Sequence, residues 1–212
     1  MSLTQSEINE FNENGFLPCE NLLNAFEVTA LRLRLEDIGN EVMTFPQEYV
    51  QIEPQVESGE MRGALSRFES VRKIWNLTKY DALFQAYASH PKILEVVKSL
   101  IGPNLKIFAD QTLCKPARVG SAKVPHQDSA YWTNIDPPDL VICWMALTDA
   151  TEENGCMRFL PGSHKQGVIE HSGDLNDFGV SDDTIDYHKE LPVTLKAGGC
   201  SFHHSLVLHR TD

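Results

Sequence analysis

The sequence lacks any long apolar run and any recognisable targeting segment. No stretch approaches the roughly 18 consecutive apolar residues that a membrane-spanning helix requires. The first twenty residues are polar and acidic, and they contain neither the apolar centre of a signal peptide nor the arginine-rich pattern of a transit peptide. We therefore predict a cytoplasmic protein that does not enter a membrane.

Cysteine and positive charge are also scarce. The five cysteines are an odd number without a Cys-x-x-Cys pair, which argues against a disulfide framework or a structural zinc knot. Eighteen lysines and arginines stand against thirty acidic residues, and the formal net charge is −12. Because nucleic acids and anionic membranes repel such a chain, we expect a small-molecule partner and no nucleic acid.

The first half of the chain has the patterns of helices. Thr4 and Glu7 are spaced as a capping box, and Gly15 is a natural helix end. Apolar residues recur at helical spacing in three later segments, which are residues 26–42, 71–88 and 91–100. Residues 45–63 contain prolines, glycines and mixed polar residues, and we predict a loop there.

The second half has the patterns of short strands. Runs rich in β-branched and aromatic residues are separated by proline, glycine and asparagine. These runs are residues 105–114, 124–128, 140–147, 156–160, 191–195 and 200–209. The polar and acidic residues 169–188 are predicted to form a long loop over one mouth of the resulting barrel.

Many short strands in series favour a jelly roll over a parallel sheet. We predict an α+β fold with a double-stranded β-helix (jelly-roll, cupin-like) core over residues 104–212. The N-terminal helices of residues 1–103 would pack on this core. No segment has the composition of an interdomain linker, so the whole of residues 1–212 is predicted to be a single domain.

The tripeptide His126-Gln127-Asp128 is the most informative pattern in the β-rich half. Residues two apart on a strand project to the same face, so an imidazole and a carboxylate would point together into the barrel. A second histidine from a distant strand would complete a set of two histidines and one carboxylate. That set leaves three positions of an octahedral metal open and is typical of non-haem Fe(II) oxygenases.

Three histidines near the end of the chain are candidates for the remaining ligand. On an unbroken strand over residues 200–209, His203 and His209 would lie on one face and His204 on the other. Spacing alone therefore leaves both His203 and His209 open. The alternative is that all three histidines only pack or cap.

Several segments, taken with this pattern, carry a family resemblance. They are residues 8–23, residues 90–104, Lys115-Pro116, His126-Gln127-Asp128, Trp144, residues 152–165 and the pattern Phe202-x-His204-x-x-x-x-His209. On these segments the sequence resembles the phytanoyl-CoA dioxygenase family over most of its length. The resemblance implies that His209, rather than His203, is the third metal ligand beside His126 and Asp128.

The resemblance also implies a reaction. It implies Fe(II)-dependent oxidation of a small molecule by O₂, coupled to decarboxylation of 2-oxoglutarate with release of succinate and CO₂. Ascorbate is a candidate reductant in such a reaction. Halogenases of related design carry a small residue in place of the carboxylate, so the presence of Asp128 favours hydroxylation.

Contacts to 2-oxoglutarate are implied residue by residue. Lys73 matches a lysine that contacts the co-substrate, and Trp144 and Thr211 match positions beside it. Gln127 follows the first ligand as it does in the family, and Gln111 falls where relatives place a polar contact. The alternatives are that Lys73 is a solvated helix charge and that Trp144 is a core residue.

One expected residue falls outside the sequence. The family carries an arginine about ten residues beyond the distal histidine, where it pairs with the far carboxylate of 2-oxoglutarate through two hydrogen bonds. The sequence given stops at Asp212, three residues past His209, so the strand bearing that arginine is missing from it. A further C-terminal tail, a truncated product, and a site served by Lys73 alone are the three explanations.

Two other functions compete with the oxygenase. One is a jelly-roll protein that binds a metal or small ligand without catalysis, which the missing arginine favours. The other is a metal-dependent hydrolase or isomerase that uses zinc or manganese on the same ligands. No pattern in the sequence specifies the substrate or an oligomeric state.

Overall fold

The structure of the protein, a computed structural model, describes residues 2–60, 66–118, 120–132, 134–138, 140–174 and 178–212. These residues form two compact units, and the prediction of a single domain stays a prediction. One unit comprises Met1–Asn24, Lys92–Asn104 and Ala122–Asp212, and the other comprises Ala25–Pro91 and Leu105–Ser121. None of the helices in the described ranges combines the length and apolar character that crossing a bilayer requires.

The helices and strands are numbered in chain order. The helices are α1 (Gln5–Asn14), α2 (Ala25–Gly39), α3 (Pro54–Glu57), α4 (Leu77–Tyr80), α5 (Ala82–Ala88) and α6 (Pro91–Ile101). The strands are β1 (Phe16–Cys19), β2 (Val50–Ile52), β3 (Val71–Trp75), β4 (Gln111–Leu113), β5 (Lys123–His126), β6 (Val141–Met145), β7 (Met157–Phe159), β8 (Leu191–Val193), β9 (Cys200–His204) and β10 (His209–Thr211).

Helix α1 begins and ends where the sequence predicts. The Thr4 hydroxyl accepts a hydrogen bond from the Glu7 backbone N–H, and the Glu7 carboxylate accepts one from the Thr4 backbone N–H at 2.7 Å. Gly15 ends the helix in the left-handed conformation, at φ +84°, where a residue without Cβ is favoured. This turn leads directly into β1, so it sets the entry angle of the first strand.

Two helix-ending glycines allow a matched test of this turn. Gly15 and Gly102 have φ values of +84° and +87°, but only at Gly15 would an added Cβ collide with a side chain, the His164 ring. We expect Gly102→Ala to cost about 1–2 kcal/mol, the cost of the left-handed conformation. Gly15→Ala should cost at least about 1 kcal/mol more, because the ring must move. Equal denaturant midpoints for the two variants would contradict the collision.

Two antiparallel sheets build the first unit. One has the strand order β1-β9-β6 and the other has the order β5-β10-β7-β8. Apolar side chains from both sheets meet in one cluster, in which the Phe16 and Phe159 rings stack with their centroids 4.7 Å apart. The two sheets therefore pack face to face, as the predicted jelly roll requires.

The opposite face of the β1-β9-β6 sheet carries a second apolar cluster. Phe11 of α1 and Val96 of α6 pack there against Phe202 and Cys200 of β9. Residues alternate between the two faces of β9, so Phe202 faces these helices while His203 faces the sheet interior. The prediction that helices pack on the strand core is confirmed for α1 and α6.

The second unit combines α2 to α5 with a three-stranded sheet of order β2-β3-β4. Asp81 joins two of its helices: its carboxylate accepts from the backbone N–H groups of Leu83 and Phe84 at the start of α5. The same carboxylate pairs with Arg34 of α2 at 2.7 Å. The carboxylate therefore satisfies helix N–H groups that have no partner within α5.

Three boundaries predicted from the sequence are wrong. Residues 71–75 form β3 rather than the start of a helix, because they pair with strands on both sides, and only the later part of 71–88 is helical. The predicted loop over residues 45–63 contains β2 and α3, and residues 61–63 lie outside the described ranges. Of the predicted strand over residues 105–114, only Gln111–Leu113 pairs.

The last predicted strand, residues 200–209, is also interrupted. A turn at Ser205–Leu208 separates β9 from β10, and the two strands join different sheets. Backbone pairing favoured by each sheet outweighs the apolar continuity of the sequence here. The alternation expected along one unbroken strand therefore does not hold between His203 and His209.

Candidate metal centre

Three side chains in the first unit converge to form a candidate metal site. His126 ends β5 and lies directly opposite His209, the first residue of the neighbouring strand β10. Asp128 follows two residues after His126, and one ligand atom from each of the three lies within 4.8 Å of the others. The predicted strand geometry is wrong in one detail, because β5 stops at His126 and Asp128 begins a short 3₁₀ turn.

The two histidines present the same nitrogen to the centre. His126 Nδ1 lies 2.8 Å from the carbonyl oxygen of Val124, and His209 Nδ1 lies 3.0 Å from that of Val207. A carbonyl only accepts hydrogen bonds, so each Nδ1 carries the proton and each Nε2 keeps a free lone pair. Such backbone contacts fix the tautomer and ring orientation of metal-binding histidines.

The carboxylate lies between these lone pairs. His126 Nε2 is 3.7 Å from Asp128 Oδ1, and His209 Nε2 is 3.9 Å from Asp128 Oδ2. Adjacent ligands on metal bonds of about 2.1 Å lie about 3 Å apart, so a small contraction would seat an ion. Imidazole and carboxylate donors in this number suit a divalent first-row metal such as Fe(II).

Electrostatics favour the metal-binding protonation states. Burial acts to raise the pKa of Asp128, but its interactions with His209, His126 and His203 outweigh burial and hold that pKa well below its ordinary value. Burial, with the neighbouring His126, lowers the pKa of His209 to about 3. At neutral pH the site therefore offers a carboxylate and a neutral imidazole.

Aromatic rings enclose the centre. Phe159 is fully buried and lies 5.6 Å from the His209 ring, measured between centroids. Tyr131 lies edge-on to His126 at 6.0 Å, and its hydroxyl donates to the Phe178 carbonyl at 3.0 Å. These contacts limit rotation of the imidazoles and lower the local dielectric constant around any bound ion.

Gln127 lies beside the ligands but its side chain turns to the backbone. Its amide nitrogen donates to the carbonyls of Gly167 and Leu206, and its amide oxygen accepts from the Ile169 N–H. With both kinds of amide atom engaged and the residue fully buried, its role here is to hold two loops against the centre. The structure thus gives this predicted co-substrate residue a structural task.

His171 supports the same segment. Its Nε2 accepts from the Gln127 backbone N–H at 2.9 Å, while its Nδ1 lies 2.8 Å from the Ile169 carbonyl. The N–H of Gln127 fixes the chain between the two ligands His126 and Asp128. No spacing in the sequence marks His171 for this role, because it lies 44 residues further along the chain.

His203 is the imidazole that sequence reasoning set aside. It is 1% exposed, and its Nε2 lies 3.6 Å from Asp128 Oδ2. Its ring is 5.1 Å from those of both Phe159 and His209. Among the described residues, His203 is not in the set of ligand atoms within 4.8 Å of one another.

Two predicted co-substrate residues lie in the same unit as the metal ligands. Trp144 is opposite Ser201 on β9, which puts it on the interior face with His203, and it packs against the apolar cluster. Thr211 is two residues beyond His209 on β10, opposite Lys123 and Met157. Both are half-buried.

The other two predicted co-substrate residues lie in the second unit. Lys73 is opposite Leu113, and Gln111 is opposite Trp75, so all four side chains share one face of the β2-β3-β4 sheet. The Lys73 ammonium lies 5.7 Å from the centre of the Trp75 ring. Lys73 therefore lies on a strand, so the alternative that it is a charged residue on a helix is wrong about the helix.

Comparison with known proteins gives this fold and site a family. The sequence profile of the phytanoyl-CoA dioxygenase family matches residues 11–212. A zebrafish (Danio rerio) protein named phytanoyl-CoA dioxygenase domain-containing protein 1 is 27% identical over 246 aligned residues, which span 99% of this chain and 84% of the relative. The chain belongs to the phytanoyl-CoA dioxygenase family.

Solved structures show the same fold. EctD from S. alaskensis, determined with 2-oxoglutarate and 5-hydroxyectoine, matches with a TM-score of 0.80 at 18% identity, covering 99% of this chain and 70% of EctD. The epimerase SnoN, determined with Fe³⁺, alpha-ketoglutarate and nogalamycin RO, matches with a TM-score of 0.71 at 19% identity, covering 98% of this chain and 76% of SnoN. The predicted α+β jelly-roll fold is confirmed by these likenesses.

Proposed function

We propose that the protein is an Fe(II)- and 2-oxoglutarate-dependent dioxygenase that hydroxylates a small molecule. The observation that carries the proposal is the convergence of His126, Asp128 and His209. Two imidazole nitrogens and one carboxylate would occupy one side of an ion and leave the other side open for co-substrate and O₂. Membership of the family supports this choice of metal and co-substrate.

The protein residues in this proposal act by binding and orientation. When bound, the iron supplies the activation of O₂ and the oxidative decarboxylation of 2-oxoglutarate to succinate and CO₂. His126 and His209 hold the ion through Nε2, each kept in register by a backbone carbonyl at its Nδ1. Asp128 supplies the negative charge. The three ligand atoms, which are the two Nε2 nitrogens and a carboxylate oxygen, bind the ion without a proton.

The surrounding residues exclude water and orient the co-substrate. The Phe159 ring lies against His209 and the Tyr131 ring against His126, and apolar surface at these positions restricts water near the reacting groups. Trp144 and Thr211 are our candidates for neighbours of 2-oxoglutarate. Trp144 lies on the same interior sheet face as His203, and Thr211 lies on the same face of β10 as the ligand His209. Gln111 and Lys73 are candidates through the family resemblance.

Lys73→Ala is expected to raise the concentration of 2-oxoglutarate needed for half-maximal turnover by about 10-fold or more. Loss of one charge-assisted hydrogen bond costs about 1.5–3 kcal/mol, which is the physical basis of that figure. The measurement is succinate release against 2-oxoglutarate concentration. Arg72→Ala is the matched control, because Arg72 is a cation one position along β3 and projects to the opposite face.

If Lys73→Ala leaves the 2-oxoglutarate concentration for half-maximal turnover unchanged, Lys73 does not contact the co-substrate and its role is limited to the structure of β3. An equal rise in Arg72→Ala would show that net charge, rather than a contact, governs the affinity. The apparent affinity for Fe(II) should stay the same in both variants, since neither residue is part of the proposed ligand set.

The test of the proposed function is turnover of carbon-labelled 2-oxoglutarate. We expect purified protein with Fe(II), ascorbate and air to release labelled succinate, and a panel of small molecules to stimulate that release. Oxygen-free samples and the His209→Ala variant are the controls. No succinate from the wild-type protein with any panel member would contradict the proposal, and substrate turnover without O₂ would indicate a hydrolase or isomerase.

A further inference from the structure

We propose that His203 is a positioning residue of the metal centre, whose Nε2–H holds Asp128 Oδ2 and thereby fixes the ligand carboxylate. The proposal rests on the metal site of the proposed function but assigns a role outside its three ligands. It is carried by the placement of a buried third imidazole against the one carboxylate of the site.

The strand register brings His203 to this position. On β9 it lies between Phe16 of β1 and Ile142 of β6, its directly paired neighbours, and it faces the interior with Phe159 across from it. Every one of these neighbours is apolar. Besides the His209 ring, whose centroid is 5.1 Å away, the polar group found beside this imidazole among the described residues is the Asp128 carboxylate, 3.6 Å from Nε2.

The two nitrogens of His203 differ from those of the ligand histidines. His126 and His209 each place Nδ1 against a backbone carbonyl. His203 Nδ1 is buried and has no hydrogen-bond partner among the residues that the structure describes. An ionised carboxylate only accepts hydrogen bonds, so the nitrogen that faces Asp128 has to be the donor. This consideration places the His203 proton on Nε2.

This tautomer gives His203 a task that the ligands cannot perform. A protonated Nε2 has no lone pair for a metal, but it can donate to Asp128 Oδ2. Oδ1, which faces His126 Nε2 at 3.7 Å, then remains for the ion. A carboxylate held by one oxygen binds through the other and leaves the remaining metal positions open, as a two-histidine, one-carboxylate site requires.

The observed separation is about 0.6 Å longer than a formed N–H···O bond. Small contraction of the three ligands around an ion would also draw Asp128 inward between the imidazoles. Hydrogen bonds at catalytic centres are often long before ligands bind and shorten on binding. The role proposed for His203 is therefore exerted most strongly in the metal-loaded protein.

The first test compares His203→Leu with His203→Gln. Leucine fits the apolar neighbours but cannot donate, whereas the glutamine amide reaches about the position of Nε2 and can. We expect His203→Leu to bind Fe(II) and Zn(II) about 10- to 100-fold more weakly, the usual cost of losing an outer partner, and His203→Gln to recover most of that loss. Binding would be measured by anaerobic calorimetry.

Metal-free thermal stability separates positioning from packing. We expect the apo form of His203→Leu to melt at or above the wild-type temperature, because it replaces a buried imidazole that has an unpaired nitrogen. Metal affinity would then fall without a loss of metal-free stability. Equal metal affinity in His203→Leu and wild type, or a loss of affinity matched by a loss of apo stability, would overturn the proposal.

The second test observes the tautomer directly by ¹⁵N NMR of the imidazole nitrogens. We expect His203 to carry its proton on Nε2 both without metal and with Zn(II), while His126 and His209 carry theirs on Nδ1. Loss of the His203 Nε2 proton on adding Zn(II) would make it a fourth ligand and overturn the proposal. A wild-type protein that binds no metal would refute the metal centre itself, and a proton on His203 Nδ1 in that protein would refute the positioning role as well.

Discussion

Replacing Asp128 with alanine is expected to reduce Fe(II) affinity by more than about 100-fold. The substitution removes the one negative charge among the three proposed ligands and leaves the three imidazoles His126, His203 and His209 facing each other. Loss of an outer partner alone costs about 10- to 100-fold, and a ligand contributes more than its outer partner. His126→Ala and His209→Ala should act in the same way.

The control for this prediction is His204→Ala. His204 is adjacent to His203 on β9 but projects to the other face, where its ring lies 5.4 Å from His164 and its Nδ1 accepts from the Leu206 N–H. We expect its loss to cost about 1 kcal/mol of stability and to leave Fe(II) affinity unchanged. Fe(II) would be titrated anaerobically into each variant, with thermal melts of the metal-free proteins run in parallel.

Two outcomes would contradict the ligand assignment. One is retention of wild-type Fe(II) affinity by Asp128→Ala or His209→Ala. The other is a loss of affinity in His204→Ala as large as that in His209→Ala. The first outcome would show that Fe(II) binds at another site. The second would show that the two faces of β9 are assigned wrongly.

Phe159→Ala is expected to destabilise the protein by about 3–5 kcal/mol, the usual cost of removing a fully buried phenylalanine. Phe159 stacks on Phe16 at 4.7 Å and so joins the two sheets of the first unit. At about 2–4 °C per kcal/mol for a chain of this size, the melting temperature should fall by about 6–20 °C. Fe(II) affinity should fall too, because Phe159 also contacts the His203 and His209 rings.

Phe26→Ala is the matched control for the loss of an aromatic ring. Phe26 is 82% exposed, so we expect a change within about 0.5 kcal/mol. Phe159→Leu should lie between the two, since it keeps much of the buried volume. A Phe159→Ala variant as stable as wild type would show that the stacked rings do not join the two sheets.

The sequence predicts best where one local rule acts alone. The capping box at Thr4 and the left-handed Gly15 fix α1 without help from distant residues. The helix that begins at Pro91 is predicted with similar accuracy for the same reason. The His126-Gln127-Asp128 tripeptide likewise brings two proposed ligands together, because residues this close in sequence stay close in any compact fold.

The sequence predicts poorly where pairing between distant segments decides the structure. Residues 71–75 read as the start of a helix, yet β3 forms because β2 and β4 pair on its two sides. The turn between β9 and β10 is likewise imposed by two different sheets. Alternation along an unbroken strand would put His203 and His209 on one face, but in the structure they approach Asp128 from strands of two different sheets, which no count along the sequence shows.

The most direct measurement of the central claim is an anaerobic titration of the wild-type protein with Fe(II) followed by 2-oxoglutarate, recorded by visible absorption. We predict one Fe(II) per chain and a new metal-to-ligand charge-transfer band when 2-oxoglutarate is added, with both lost in Asp128→Ala. Binding of 2-oxoglutarate without this band, or an unchanged band in Asp128→Ala, would contradict a co-substrate held on iron by His126, Asp128 and His209.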